Sequence, residues 1–366
     1  MRITFDNDIF AIQQYGGISR YYVELLAKIS EDNFHNAQAG VLHGFHRNHY
    51  LKNIDLNLKS KPAYLRNFKG AGFALTRLNW YFNAIVSAPK TDIYHATYYR
   101  FPKRLSPSIT KIITVYDMIH ELYPNYFCAG DSTVSLKAKA INSADHIFSI
   151  SQNTKQDLMD IYQVPESKIT VTYLGVDHLK VRKQQMHKRE NFLLYVGPRG
   201  GYKNFNGLLA TFSKLLTTRN NLDLIAFGGG HFNDGEKALI NDLNIPFERI
   251  KQISGPDEVL SGLYSRALVF VYPSFYEGFG IPPLEAMAKG CPVVASKTSS
   301  IGEVLGTGAL LCDPHNVSDM VNKVGAMISN TEYRNSFVQK GYQQIKRYTW
   351  EQTTNLTLQT YSRFLQ

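Results

Sequence analysis

Residues 269–296, VFVYPSFYEGFGIPPLEAMAKGCPVVAS, constrain the fold more tightly than any other stretch. The apolar run 268–272 reads as a buried strand. After it come a loop ending in Gly278-Phe279-Gly280, a short helix opening at Pro282-Pro283, and a second apolar strand over 293–295. Proline suits the first helical turn, where its missing N–H costs nothing, and Gly290 followed by Cys291-Pro292 is a helix stop. Leu284, Met287 and Ala288 share one face at i, i+3 and i+4, which predicts that this face lies on a sheet. The result is a βαβ unit.

In a parallel α/β sheet the helix start points its free N–H groups toward the carboxyl ends of the strands, where anionic ligands bind and glycines let them approach the backbone. Glu277 in the loop and Glu285 in the first turn sit at that spot. Together they can accept hydrogen bonds from a ligand's hydroxyls while backbone amides hold its anionic part. Taken singly, Glu285 also reads as a complement to the helix dipole and Glu277 as a solvated loop residue.

A chain of 366 residues exceeds one ordinary core, so two domains are expected. No apolar run is long enough to span a bilayer, and the start MRITFDNDIF enters a strand without a signal-peptide pattern, which predicts a cytoplasmic protein. Cys128, Cys291 and Cys312 have no paired spacing, so neither a disulfide framework nor a zinc site is indicated, and Cys291 and Cys312 read as small core residues. The net charge of +10 suits a polyanion, an anionic membrane surface or phosphorylated ligands.

The N-terminal half alternates strands and helices. Residues 2–5 form the first strand, and Gly16-Gly17 precedes a helical pattern with Tyr22, Leu25, Leu26 and Ile29 on one face. This is either a phosphate or sugar cradle or a plain tight turn. Asp6-Asn7-Asp8 is read as Asx turns in preference to a metal site, because hard cations want more oxygen ligands. Residues 61–90 interleave Lys61, Arg66, Lys69 and Arg77 with Tyr64, Phe68, Phe73, Trp80, Tyr81 and Phe82. That pattern fits an ordinary helix with a solvated face or an interfacial membrane helix better than a nucleic-acid surface, since no nucleic-acid motif accompanies it. Residues 91–99 and 111–121 read as two strand-and-loop units with polar groups at the strands' carboxyl ends, His95 after the first and Asp117, His120 and Glu121 after the second. A lone His95 is more often structural.

The basic, weakly periodic run 176–190 is the best linker candidate, and a new α/β pattern follows it. The strand 192–196 runs into Gly197-Pro198-Arg199-Gly200-Gly201-Tyr202-Lys203. Arg199 offers a planar fork and Lys203 a point charge, so the pair reads either as a diphosphate clamp or as two solvated cations. Further strands are expected at 222–227, 250–253 and 309–312. The tail 331–366 reads as helical, with Trp350, Leu356, Leu358, Tyr361 and Leu365 to bury.

The segments YEGFGIPPLEAMAKGCPVVAS, LLYVGPRGGYKNFNGLL, ISQNTKQDLMDIYQVPESKITVTYLGVD and GGISRYYVELL together resemble the family-4 retaining glycosyltransferases of the GT-B fold. The resemblance implies an α/β protein of two Rossmann-like domains facing across a cleft. Residues 1–177 would bind the acceptor, residues 190–345 would bind the nucleotide sugar, and a C-terminal helix, 346–366, would pack back on the first domain. It implies further that Arg199 and Lys203 bind the donor's diphosphate, that Glu285 takes the ribose hydroxyls, and that Glu277 binds the transferred sugar. The amides of Gly278, Phe279 and Gly280 would add sugar and phosphate contacts, and Gly16 and Gly17 would close over the phosphates or the acceptor. Many members of the family have a His-Asp pair after the strand matching 112–115. Here Tyr116 and Asp117 stand there, and the histidine's role falls either to Tyr116 as a hydrogen-bond donor or to His120, one helical turn on.

The expected reaction is transfer of a hexose, mannose by resemblance, from a nucleoside-diphosphate sugar such as GDP-mannose to a saccharide or polyprenol-linked saccharide in surface polysaccharide assembly. No metal or cofactor is expected beyond the donor as co-substrate. The enzyme would be cytoplasmic, with peripheral attachment to an anionic membrane face. The rival expectations are a GT-B sugar-nucleotide epimerase and a non-catalytic sugar-nucleotide-binding subunit of a membrane complex.

Overall fold

Short apolar runs that are buried on both faces can pair in parallel only if helices cover both sides of the sheet, and this chain supplies them in alternation. The computed structural model describes residues 1–31, 37–52, 60–63, 70–85, 90–103, 105–177 and 189–365. They form two units. Unit 1 takes in Met1–Glu121, Cys128–Gly175 and Thr349–Gln366, and unit 2 takes in Leu122–Phe127 and Val176–Tyr348. Each is a six-stranded parallel sheet flanked by helices, as the α/β, two-Rossmann reading expects. Most of the proposed linker, and Tyr64, Arg66, Phe68 and Lys69 of the basic-aromatic stretch, lie outside the described residues.

The strands of unit 1 are β1 (Arg2–Phe5), β2 (Gln38–Val41), β3 (Gly44–His46), β4 (Ser60–Pro62), β5 (Ile93–Ala96), β6 (Thr110–Val115), β7 (His146–Ser149) and β8 (Ile169–Val171). The main sheet runs β2-β1-β5-β6-β7-β8, and β3 and β4 form a separate parallel pair. Phe5 lies opposite Val41 on one side and His95 on the other. The helix Gly17–Glu31 buries Tyr22, Leu25, Leu26 and Ile29, the face its periodicity predicts.

The tail is helical in two pieces. It breaks at residues 346–349 into Thr331–Ile345, which is part of unit 2, and Trp350–Ser362, which is part of unit 1. The last helix buries Trp350, Leu358 and Tyr361, but it fills the rest of its inner face with Thr353, Thr354, Thr357 and Thr360. Leu365, expected inside, is 44% exposed, because the helix has ended before it.

In unit 2, β9 (Phe192–Val196), β10 (Asp223–Phe227), β11 (Ile250–Ile253), β12 (Val269–Tyr272), β13 (Val293–Ser296) and β14 (Leu310–Cys312) run in the order β11-β10-β9-β12-β13-β14. Its core joins Leu193, Tyr195, Phe205, Leu208, Phe212, Val269 and Val271. Cys291 and Cys312 are buried and free, as expected of small core residues.

Candidate active site

The strand order of unit 2 reverses between β9 and β12, which are neighbours in the sheet. Loops leaving the carboxyl ends of two such strands diverge and leave a crevice, the usual ligand position in this architecture. Here the two loops are also bonded to each other. The Phe275 N–H donates to the Tyr202 carbonyl at 2.8 Å. Asn204, in the left-handed region at φ 54°, donates from Nδ2 to the carbonyls of Pro273 (3.1 Å) and Pro314 (2.8 Å), and its Oδ1 caps the helix Phe205–Leu216 by accepting from Gly207 N–H.

This frame brings Lys203 and Glu277 together, Nζ to Oε1 at 2.7 Å, with side chains 14% and 10% exposed. The ammonium also lies 5.1 Å from the Tyr202 ring centroid and 5.7 Å from that of Tyr272. Burial, and then the Glu277 charge, push the Tyr272 phenol well above its ordinary range, so it stays a neutral donor beside the carboxylate. The Glu277 backbone is held on both sides, its N–H donating to Ser299 Oγ (2.9 Å) and its carbonyl accepting from Ser300 Oγ (2.7 Å).

Gly278, Phe279 and Gly280 follow, all buried. Gly280 takes φ 99°, a conformation costly for any residue with a Cβ, and serves as the N-cap of the helix Ile281–Ala288. No side chain caps this start, so its N–H groups remain available to an anion. Glu285 in the first turns of that helix is half-buried and accepts from Tyr264 Oη at 3.3 Å.

Arg199 is held within the protein and is not a solvated cation. Its Nε and Nη2 bind both carboxylate oxygens of Glu236 (2.7 and 3.1 Å), Nη1 donates to the Gly228 carbonyl (2.9 Å), and Nη2 donates to the His231 carbonyl (3.0 Å). These bonds use four of the five N–H donors of a guanidinium, and the residue is 7% exposed. Burial would raise the Glu236 carboxyl, but the bonds from Arg199 and Asn233 hold it below its usual range. Glu236 also completes a capping box with Asn233. Arg199 therefore ties the glycine turn after β10 to the next helix, and Lys203 is the cation paired with the carboxylate of the β12 loop.

Unit 1 carries the remaining predicted residues. Gly16 and Gly17 lie at the start of the helix Gly17–Glu31, where Gln13 Oε1 accepts from Ser19 N–H at 3.1 Å. Tyr116, at the position of the family histidine, is a core residue. It is 5% exposed, with a fully buried hydroxyl and the Tyr21 ring at 6.2 Å. A tyrosine directly after a buried strand continues the strand's burial. Asp117 turns the chain, its Oδ1 accepting from Ile119 N–H at 3.1 Å. His120 Nε2 lies 3.6 Å from Asp131 Oδ2.

Sequence reading gave no signal for Lys137. This lysine, whose side chain is 1% exposed, bonds Glu121 Oε2 and the Asp117 carbonyl, both at 2.8 Å, and Tyr162 Oη donates to the other Glu121 oxygen. It pins the segment that carries Asp117 and His120. His95 is wholly buried between Tyr361 and Thr114, in keeping with the structural reading.

Two family descriptions match the chain: "Glycosyltransferase Family 4" over residues 15–179 and "Glycosyl transferases group 1" over residues 177–344. O-antigen chain mannosyltransferase B of Escherichia coli is 29% identical over 286 residues, 74% of each chain. O-antigen chain mannosyltransferase RfbU of Salmonella typhimurium is 32% identical over 202 residues, 55% of this chain and 56% of that one. Among solved structures, sucrose-phosphate synthase from Thermosynechococcus elongatus superposes with a TM-score of 0.74 at 16% identity, covering 100% of this chain and 99% of that one.

Proposed function

From a chain that belongs to glycosyltransferase family 4 and has the GT-B fold, we propose a retaining mannosyltransferase that uses a nucleoside-diphosphate mannose in surface polysaccharide assembly. That the chain is a glycosyltransferase follows from the family. The mannose follows the activity for which the two O-antigen relatives are named, and GDP is the carrier we favour. Unit 1 is assigned the acceptor and unit 2 the donor.

The observation that carries the reading is the Lys203–Glu277 pair at the strand-order reversal of unit 2, beside an uncapped helix start. Lys203 spends one of its three N–H donors on Glu277 and has two for phosphate oxygens. As the bond between the anomeric carbon and the diphosphate lengthens, negative charge builds on the leaving phosphate. Lys203 and the amides of Gly278, Phe279 and Gly280 would stabilise that charge, and one such contact is worth about 2.7–4 kcal/mol of barrier. Glu277 would accept from a hydroxyl of the transferred sugar and Glu285 from the ribose.

Retention would follow same-face attack, in which the leaving phosphate takes the acceptor's proton and no side-chain base is needed. The same cationic elements support turnover without a metal. We assign the enzyme to the cytoplasmic side of a membrane, held peripherally through its net charge of +10; no helix among the described residues is long and apolar enough to cross one.

A thermal-shift screen of GDP- and UDP-sugars, followed by product analysis with and without EDTA, tests this reading. Stabilisation by GDP-mannose and EDTA-insensitive transfer with an α-linked product support it. Free or epimerised sugar as the sole product, or strict dependence on added Mn²⁺, would overturn it.

A further inference from the structure

Unit 1 has a strand-order reversal of its own, between β1 and β5. The loop leaving β1 carries Asp6 and Asp8, and the loop leaving β5 carries Thr97, Tyr98 and Arg100. A cavity of about 420 Å³ opens at these loops, within the usual size of a small-ligand site. Asp8, Tyr98 and Arg100 form part of its wall. Phe73 and Thr76 reach it from the helix Ala71–Ile85, and Ser132 from the start of the helix Thr133–Ser143.

The two aspartates at its base behave differently. Asp6 is consumed: its carboxylate accepts from the N–H groups of Asp8 (2.8 Å) and Thr97 (2.9 Å) and pairs with the Thr97 hydroxyl, locking the two loops together. Asp8 is 5% exposed, yet its carboxyl makes no hydrogen bond or ion pair among the described residues while lining the cavity. Burial, and then the charge of Asp6, push it up to about 8 against the pull of Arg100. A buried carboxyl that holds its proton at neutral pH can both donate and accept, which suits a neutral polyol. It is a poor ligand for a hard cation, and among the described residues no group of three metal-ligating side chains is found here.

We propose that this cavity is a saccharide pocket that takes roughly one or two terminal rings of the acceptor. Asp8 and Arg100 read a pair of neighbouring hydroxyls there, and Phe73, 64% exposed at the rim, offers an apolar platform to the ring face. The role of that sugar as acceptor rests on the glycosyltransferase reading, whereas binding itself does not. Closure around a chain end would make Asp8 a specificity-determining residue, selecting acceptors by the configuration of their terminal hydroxyls.

The test uses the full chain and a panel of methyl glycosides (α-D-manno-, α-D-gluco- and α-D-galactopyranoside), followed by saturation-transfer NMR and calorimetry. GDP is titrated into the same samples. Wild type should bind at least one glycoside in the millimolar range, and Asp8→Ala, which removes both donor and acceptor, should weaken it by about tenfold, the loss of one good hydrogen bond. Phe73→Ala alters an exposed position that folding tolerates, and it should weaken binding about threefold, which keeps the test decisive if Asp8→Ala does not fold. No binding by wild type up to about 50 mM, or affinities unchanged in both variants, would overturn the proposal. The GDP titration bears on the donor reading alone, so failure there and failure of the pocket are separate results.

Discussion

Lys203 and Glu277 hold each other in a partly desolvated site, and each is left unbalanced if the other goes. Lys203→Ala is expected to lower turnover at least about tenfold through lost phosphate contact, with nucleotide affinity falling as well, and Glu277→Ala to lower turnover by a similar factor with little change in nucleotide affinity. Steady-state kinetics with calorimetry distinguishes them, and wild-type rates in both variants would remove the site. Arg199 predicts a different signature. Arg199→Lys keeps the charge but cannot reproduce two bonds to Glu236 and two to carbonyls, so stability should fall by about 2 kcal/mol in urea unfolding, with activity reduced less than in Lys203→Ala. His95 gives a pH prediction. Burial, and then His146, bring its protonation down to about 3, against about 6.5 when unfolded. A depressed folded value means stability that is complete above about pH 6.5 and lost as pH falls toward 3, about 2 kcal/mol of it by pH 5. Asp6 and Asp8, raised to about 6 and about 8, act in the opposite sense. The informative quantity is therefore the difference between wild type and His95→Gln, which should shrink from pH 7 to pH 5.

At the scale of elements, legibility followed burial pattern. β9 and β11 match their predicted spans, and the loop and helix positions of Glu277, Gly280 and Glu285 were legible because a strand, two glycines and a proline-led helix leave few alternatives for the chain between them. β2 is a four-residue edge strand with one fully buried position, Val41, and no alternation to detect. The threonine face of Trp350–Ser362 reads as solvated until packing reveals that three of its hydroxyls satisfy backbone carbonyls: Thr353 Oγ1 bonds the carbonyls of Tyr173 and Thr349, Thr357 Oγ1 that of Thr353, and Thr360 Oγ1 that of Leu356. Lys137 likewise looks like an ordinary helix-surface lysine, and only the fold places Glu121 against it. Arg199 was legible as a loop cation but not as a structural tie, because its partner lies 37 residues away. One contact makes the last helix testable. A Cβ on Gly175 would collide with the backbone nitrogen of Trp350, so Gly175→Ala must displace the start of that helix. It should cost about 1–3 kcal/mol in equilibrium unfolding, while Gly200→Ala, in open space, should cost little.

For the whole molecule, the charge of +10 and the surface of the helix Ala71–Ile85 point the same way. Phe73, Arg77, Trp80 and Tyr81 recur at helical spacing along one exposed side, with Tyr81 73% and Trp80 41% exposed. Aromatic rings flanked by cations sit well at a lipid headgroup boundary, where each nearby lysine or arginine adds about 1 kcal/mol on an anionic surface. The same helix supplies Phe73 to the unit 1 cavity, so docking through it would hold that pocket at the level of a lipid-linked sugar. Flotation with vesicles containing phosphatidylglycerol should carry the protein up at low salt and release it at high salt, because exposed charge interactions are screened. Trp80→Ser with Tyr81→Ser should cut the bound fraction severalfold while leaving transfer to a soluble saccharide acceptor intact, since neither residue lines the pocket. Equal flotation of the double variant would assign the attraction to net charge alone, and no salt-sensitive flotation of wild type would remove the membrane from the account.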